Sequence, residues 1–385
     1  MARNKVSKGS SQRGKNLLKK LLGILILAIF LVIGKEIGLV SEGNFQETEK
    51  DRVYNEINSC DEVEKQDDND NSLYTDSKLE VYFFDVGQAD SILLLTDDKA
   101  MLVDTGNAGD ARQDNKLVKG NINLTYELKK LGINKIDILV ATHAHEDHMG
   151  SMYKIINTFE IGNLYANAIN ESDDEPNYYK RFCNAIIEKD VHLISPTVLT
   201  EEEIMAKVNA YNANLEDNDE KIIYDSTDYI RVGDVINFGN AKVTLLAPGS
   251  TKYSDDNDYS IVLMVEFEGV KLMLTGDAGK QSEQEILKYA SQNGINLACD
   301  ILKVSHHGSR TANTEDFISA VNPTYAVIMV EEGNKYGLPD EDVIERLEMH
   351  NAKIYQTMEV GDIKLVIDDG KYKFDLTYTH EEKEE

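Results

Sequence analysis

Thr142-His143-Ala144-His145-Glu146-Asp147-His148 closes an apolar run, Ile136–Thr142 (IDILVAT), and opens the turn after it. The run reads as a buried strand. Three imidazoles and a carboxylate at one strand end can face a single concave site. Neutral imidazole and carboxylate are good ligands for Zn²⁺ and for harder ions such as Mn²⁺. His143, His145, Asp147 and His148 crowd four donors into six residues. One tetrahedral ion with an open position has little use for all four, so two ions sharing the cluster is the natural solution. Each ion then needs further donors from distant strands.

The rest of the chain offers them. Val270–Thr275 is an apolar strand ending in Gly276-Asp277, where a carboxylate can bridge two cations. Asp300–Val304 is another, ending in Ser305-His306-His307-Gly308-Ser309. Lys99–Asp104 ends in Asp104-Thr105-Gly106, where Asp104 fits either an Asx turn or a site role. Core packing does not require polar donors just past one strand end after another. His192, His350 and His380 stand alone and read as surface or core residues.

Composition bounds the chemistry. The 385 residues hold 40 basic and 69 acidic side chains, a formal charge of −29. Such a chain has no broad basic footprint for nucleic acid. A metal can still supply local positive charge for a phosphodiester. Hydrophobic residues make up 41%, enough for a sizeable core. The cysteines, Cys60, Cys183 and Cys299, contain no CxxC, which argues against a disulfide scaffold and a zinc ribbon.

Residues 1–20 carry seven bases and no acid, and the apolar run 21–34 (LLGILILAIFLVIG) follows. With snorkelling lysines and the apolar residues beyond, 21–40 reads as a membrane anchor. A cleaved signal segment is the alternative, with Ser41-Glu42-Gly43 a weak cleavage triplet, and a buried or surface helix the third. Anchor and signal both leave the basic end cytoplasmic and export the remainder, either held at the membrane by a single pass or secreted. Residues 41–78, with twelve acids and four bases, read as a flexible stalk. Residues 79–380 read as one α/β domain, a sheet-on-sheet core with helices outside. The pattern predicts one helix over Met149–Phe159 and one strand over Tyr229–Phe238. It makes 170–222 an insertion with helices near Tyr178–Lys189 and Glu201–Tyr211.

At these residues the sequence resembles the metallo-β-lactamase superfamily, whose H-x-H-x-D-H pattern is His143, His145, Asp147 and His148. Within it, the chain is most similar to the extracytoplasmic C-terminal hydrolase domain of ComEC-type DNA-uptake proteins. That likeness rests on Phe84-Asp85-Val86-Gly87-Gln88-Ala89-Asp90, Leu102-Val103-Asp104-Thr105-Gly106, Asn257-Asp258-Tyr259-Ser260, Leu274-Thr275-Gly276-Asp277, Leu302–Ser309 and Asn334–Pro339, in the family's order. Bacterial choline-phosphate esterases share much of the pattern.

The resemblance implies a four-layer αβ/βα sandwich with the metals at one edge, preceded here by the N-terminal hydrophobic helix. It implies that His143 and His145 bind one ion. Asp147, His148 and one of His306 and His307 bind the other, with His307 favoured and His306 contacting a substrate oxygen. Asp277 bridges. Asp104 orients a histidine from behind, and Asp85 and Asn257 are further supporting residues. Asp147, His306 and Tyr336 are the candidate catalytic groups. Three departures stand out. No histidine occurs at Asp256–Ser260, where many members carry another ligand; Ala89 replaces the family's Gly; and Leu338 replaces its His. The multi-span channel of ComEC proteins is not matched.

The expected function is a membrane-tethered, extracytoplasmic hydrolase with two divalent cations, Zn or Mn, attacking phosphodiesters with a metal-bridging hydroxide. The substrate is a phosphodiester or other ester, DNA among them, and no protein partner is inferable. A lactonase- or β-lactamase-type esterase or amidase of the same fold is one alternative. A catalytically silent metal-binding surface protein is the other.

Overall fold

A computed structural model describes residues 78–96, 99–107, 123–167, 177–213, 221 and 223–376. The anchor or signal over 21–40 and nearly all of the stalk lie outside the described residues. Among the described residues no helix is long and apolar enough to cross a membrane.

The chain builds one sheet, crosses to a second, and returns. In the first lie β1 (Leu79–Phe83), β2 (Ile92–Thr96), β3 (Lys99–Val103), β4 (Lys135–Ala141), β5 (Glu160–Ala166), β6 (His192–Pro196) and β7 (Tyr229–Ile230). In the second lie β8 (Val235–Phe238), β9 (Ala241–Ala247), β10 (Val262–Phe267), β11 (Val270–Leu274), β12 (Ile301–Lys303), β13 (Tyr325–Ile328) and β14 (Lys353–Gln356). β15 (Ile363–Asp368) and β16 (Lys371–Asp375) rejoin the first sheet beside β1. Strands β3 to β6 pair in parallel, as do β11 to β14. Covered on both faces, parallel strands such as IDILVA and ILK are apolar almost throughout.

Three helices, α1 (Leu124–Lys130), α2 (Glu146–Met149) and α3 (Met152–Thr158), follow β3 and β4, and α4 (Asn177–Lys189) and α5 (Glu201–Ala213) flank β6. Leu128, Ile155 and Ile186 pack α1, α3 and α4 into the core shared by the two sheets, with Phe83, Leu102, Leu263 and Leu272 at its centre. On the far side α6 (Lys280–Asn293), α7 (Glu315–Val321) and α8 (Glu341–Met349) cover the second sheet. There Ile286, Phe317 and Leu347 meet Met273 and Leu302. The layers thus run helix, sheet, sheet, helix. A short α9 (Thr357–Val360) precedes β15.

Three sequence readings are corrected. The expected strand Tyr229–Phe238 is two strands in different sheets. Asp234 turns the chain between them, its carboxylate accepting from the Arg231 N–H (2.8 Å) and its own N–H donating to the Arg231 carbonyl (2.9 Å). The expected helix Met149–Phe159 is broken at Gly150-Ser151, so α2 and α3 are separate pieces. The supposed insertion is partly scaffold. β6 pairs in parallel with β5, and Phe182, Ala185 and Ile186 of α4 are buried in the main core. The polar residues of HLISP and EIGNLYA weakened the strand pattern there. α5 is peripheral, with Ile204 and Val208 forming a small cluster of their own.

Candidate metal centre

β3, β4, β11 and β12 deliver their C-terminal ends to one edge of the sandwich, and the polar residues after those ends meet there. After β4 the chain enters α2 through His145. Asp104, at φ +59°, turns its carboxylate toward that loop. Its Oδ1 accepts from the Thr142 N–H (2.8 Å) and its Oδ2 from the Thr142 hydroxyl (2.7 Å). His148 Nδ1 lies 2.7 Å from the same Oδ2, which places the ring proton there and leaves Nε2 for the site. The loop is also held by Tyr178, whose hydroxyl donates to the Ala144 carbonyl (2.9 Å). Asn167 donates to the carbonyls of Thr142 and Tyr259.

The second sheet brings Asp277 and the histidine pair. Gly276 has φ +51°, and a Cβ there would press on Thr142 at 3.0 Å. His306, His307 and Gly308 all have positive φ, so the backbone turns sharply and sends consecutive imidazoles apart. His307 is buried. Its Nδ1 is 2.7 Å from the Met329 carbonyl, which can only accept, so its Nε2 carries the lone pair. His306 stands at the mouth, its Nδ1 3.0 Å from the Thr311 hydroxyl and its Nε2 3.8 Å from Asp277 Oδ2. His307, not His306, is grouped with Asp147, His148 and Asp277.

Ligand atoms of Asp147, His148, Asp277 and His307 lie within 4.8 Å of one another. The Nε2 atoms of His148 and His307 are buried and have no hydrogen-bond partner. Asp277 Oδ2 is 3.2 Å from the first and 3.6 Å from the second, and Asp147 Oδ2 is 3.5 Å from His307 Nε2. Unpartnered nitrogens facing carboxylates are what a metal-binding group requires, and the residues fit a divalent cation. His143 and His145 stand beside this group, with Nε2 of one 3.0 Å from Nδ1 of the other. Ser260 occupies the stretch where no third histidine exists. Its hydroxyl lies 3.4 Å from His143 Nδ1 and accepts from the Asp277 N–H (3.1 Å).

Two residues at the centre were given no role by the sequence reading, Asp90 and Lys303. Both are buried and form an ion pair. A lysine in the apolar strand ILK was the available signal. Asp85 is buried after β1, its N–H donating to the Asp362 carboxylate (2.7 Å). Asn257 is buried in the turn before Ser260 with its side-chain oxygen unpartnered. Tyr336 is 63% exposed, its ring 4.8 Å from the Lys335 ammonium. Its loop reaches the site region through Pro339, which packs on Gly308. Ala89 is absent from the left-handed residues, so the missing Gly imposes no backbone strain.

Asp90 pairs with the buried ammonium of Lys303 and Asp277 stands 3.9 Å from it, while Asp104 and Asp147 face His148 and His307. With neutral imidazoles the centre has an excess of three negative charges, too many to bury without cations. The imidazoles respond. Burial alone would lower the pKa of His148, but Asp277, Asp104 and Asp147 outweigh it and raise it well above the usual value. His307 is also raised against the effect of burial, by Asp277 and Asp90. Burial and then the charge on His148 push His143 well below its usual value. Asp277 is held well below the carboxylate range, where His148, His307 and Lys303 overcome burial. The same carboxylates therefore favour protonation of His148 and His307, and a proton competes with a cation for each Nε2. Metal loading at pH 7 should therefore release protons. Titration calorimetry with Mn²⁺ in buffers of different ionisation enthalpy should show a release of about one to two protons. A buffer-independent heat would contradict this.

Residues 84–176 match the model of the metallo-β-lactamase superfamily. ComE operon protein 3 of Bacillus subtilis (strain 168) is 26% identical over 75% of this chain and 33% of its own length. Competence protein ComA of Neisseria gonorrhoeae is 26% identical over 76% of this chain and 33% of its own length. The chain therefore spans about a third of the length of these relatives. Among solved structures, a diphosphatase from the PhnP family covers 75% of this chain and 98% of its own at 13% identity and a TM-score of 0.36.

Proposed function

We propose that this chain, which carries a metallo-β-lactamase superfamily domain similar to those of competence proteins, is a dinuclear metal-dependent hydrolase of phosphodiesters. The observation that carries the reading is the convergence of His148 Nε2, His307 Nε2, Asp147 and Asp277 within an excess of buried negative charge. Two divalent cations there would lower the pKa of water and draw charge from phosphoryl oxygens. They would also turn the local balance from three negative charges to one positive, the sign that attracts an anionic ester.

The chain's own residues divide the work. Asp147, His148 and His307 would hold one ion and His143 and His145 the other, with Asp277 Oδ2, beside His148 and His307, as the carboxylate between them. Asp104 and the Met329 carbonyl fix the tautomers of His148 and His307. His306, pushed below its usual pKa chiefly by burial, is neutral at pH 7 and points Nε2 at the substrate oxygen. Tyr336 contacts substrate at the outer rim. Outside the site the chain is strongly acidic, so a short phosphodiester is a better substrate than a long polyanion. The basic start and apolar run of residues 1–34 support a tethered catalytic domain outside the cytoplasm.

The test is a turnover panel on the purified full chain with Mn²⁺ or Zn²⁺. It comprises bis-p-nitrophenyl phosphate, single-stranded DNA, a choline phosphodiester and nitrocefin. Metal-dependent cleavage of at least one phosphodiester and none of nitrocefin is expected. Nitrocefin turnover alone would move the reading to the β-lactamase-type alternative. No turnover of any would favour a silent metal-binding protein.

A further inference from the structure

Lys303 is fully buried at the end of an apolar strand, where a hydrophobic residue of similar volume is normally neutral or stabilising. Its ammonium has three neighbours. It pairs with the Asp90 carboxylate, donates to the Gly276 carbonyl (3.1 Å), and stands 3.9 Å from Asp277 Oδ1. Asp277 Oδ1 has no hydrogen-bond partner, while Oδ2 faces Nε2 of His148, His307 and His306 at 3.2, 3.6 and 3.8 Å. Asp90 reaches the other side of the same rings. Its oxygens lie 3.5 Å from His307 Nδ1 and 3.8 Å from His148 Nδ1, and its N–H donates to the Asp147 carbonyl (3.1 Å).

We propose that the buried Asp90–Lys303 pair is a positioning element that commits Asp277 to the metal centre through Oδ2 alone and so keeps the centre open to two cations. The inference rests on the dinuclear reading above. A carboxylate free to rotate chelates one ion through both oxygens and crowds out the second. The ammonium beside Oδ1 opposes that rotation electrostatically, and its hydrogen bond to Gly276 fixes the turn from which Asp277 projects. Asp90 keeps the ammonium in place and meets both imidazoles from behind. A merely structural pair would have no preference between one ion and two.

The experiment compares the full chain with Lys303→Met and with Asp90→Asn/Lys303→Met, which removes both charges and leaves no unpaired buried ion. Each protein is titrated with Mn²⁺. Bound metal is measured after dialysis, and electron paramagnetic resonance separates a spin-coupled pair from the six-line spectrum of isolated Mn²⁺. The unaltered chain is expected to bind two Mn²⁺ with a coupled spectrum. The double variant is expected to fold, keep one tight Mn²⁺, weaken the second at least tenfold, and show the six-line spectrum. Two Mn²⁺ at unaltered affinity with a coupled spectrum in the double variant would overturn the proposal. Failure of both variants to fold would also overturn it by assigning the pair to stability alone. Fewer than two ions in the unaltered chain would overturn the dinuclear reading itself.

Discussion

Asp277→Ala is expected to reduce turnover on the order of 10³-fold or more and to bring bound metal below two per chain. The side chain follows Gly276 at the end of β11, and its Oδ2 lies 3.2 Å from His148 Nε2 and close also to His307 and His306. On the proposed dinuclear reading, alanine would take a donor from both ion positions, whereas changing His143 or His145 would affect one. The metal-free protein should also lose stability. Against burial, His148, His307 and Lys303 hold Asp277 well below the carboxylate range, so its ionised form stabilises the metal-free fold at pH 7, and the stripped variant should melt below the stripped parent. Elemental analysis and thermal melts of both proteins give the answer together. Unchanged stoichiometry would reject the bridging role. A higher melting temperature for the stripped variant would reject the charge argument.

Removing metal from the unaltered protein should cost nearly as much. A ligand at a thousandfold its dissociation constant stabilises by about 4 kcal/mol, which corresponds to roughly 10 °C in a domain of this size. The gap should depend on pH. His148 and His307 have raised folded-state pKa values, so their contribution to the metal-free fold is complete below about pH 6.5 and fades as pH rises through the folded values. Metal affinity changes in the other direction, because fewer protons compete for the same nitrogens. The difference in melting temperature between loaded and chelator-treated protein should therefore widen from pH 6 to pH 9. A constant or narrowing gap would mean that the two imidazoles do not exchange protons for metal.

Much of this site was legible in the sequence because ligand chemistry uses residue types that strand cores avoid. His143, His145, Asp147 and His148 after IDILVAT, Asp277 after KLML and His307 after ILKV stood out against apolar runs. The structure brings Asp147, His148, Asp277 and His307 together, with His143 and His145 beside them. Asp104 was ambiguous, since an Asx turn uses the same residue, and only its contact with His148 decides between the two. The different placing of His306 and His307, one at the mouth and one buried against the Met329 carbonyl, depends on the left-handed backbone and is not visible in a linear pattern. The Asp90–Lys303 pair was out of reach for a different reason. Lys303 stands out in the apolar strand ILK, but its pairing with Asp90 depends on two sheets meeting. The same limit hid the division of Tyr229–Phe238 between sheets and the placing of β6 inside one. Neighbours along the chain determine propensity, while sheet membership depends on partners far away.

The return of β15 to the first sheet places β1 between two antiparallel neighbours, with Leu79 opposite both Ile367 and Thr96. A pull arriving from the residues before Leu79 would load two hydrogen-bond ladders along their length and in shear. It could not unzip a free edge one rung at a time. The part of the domain joined most directly to the proposed tether is therefore built to bear tension before it reaches the loop after β1 that carries Asp90.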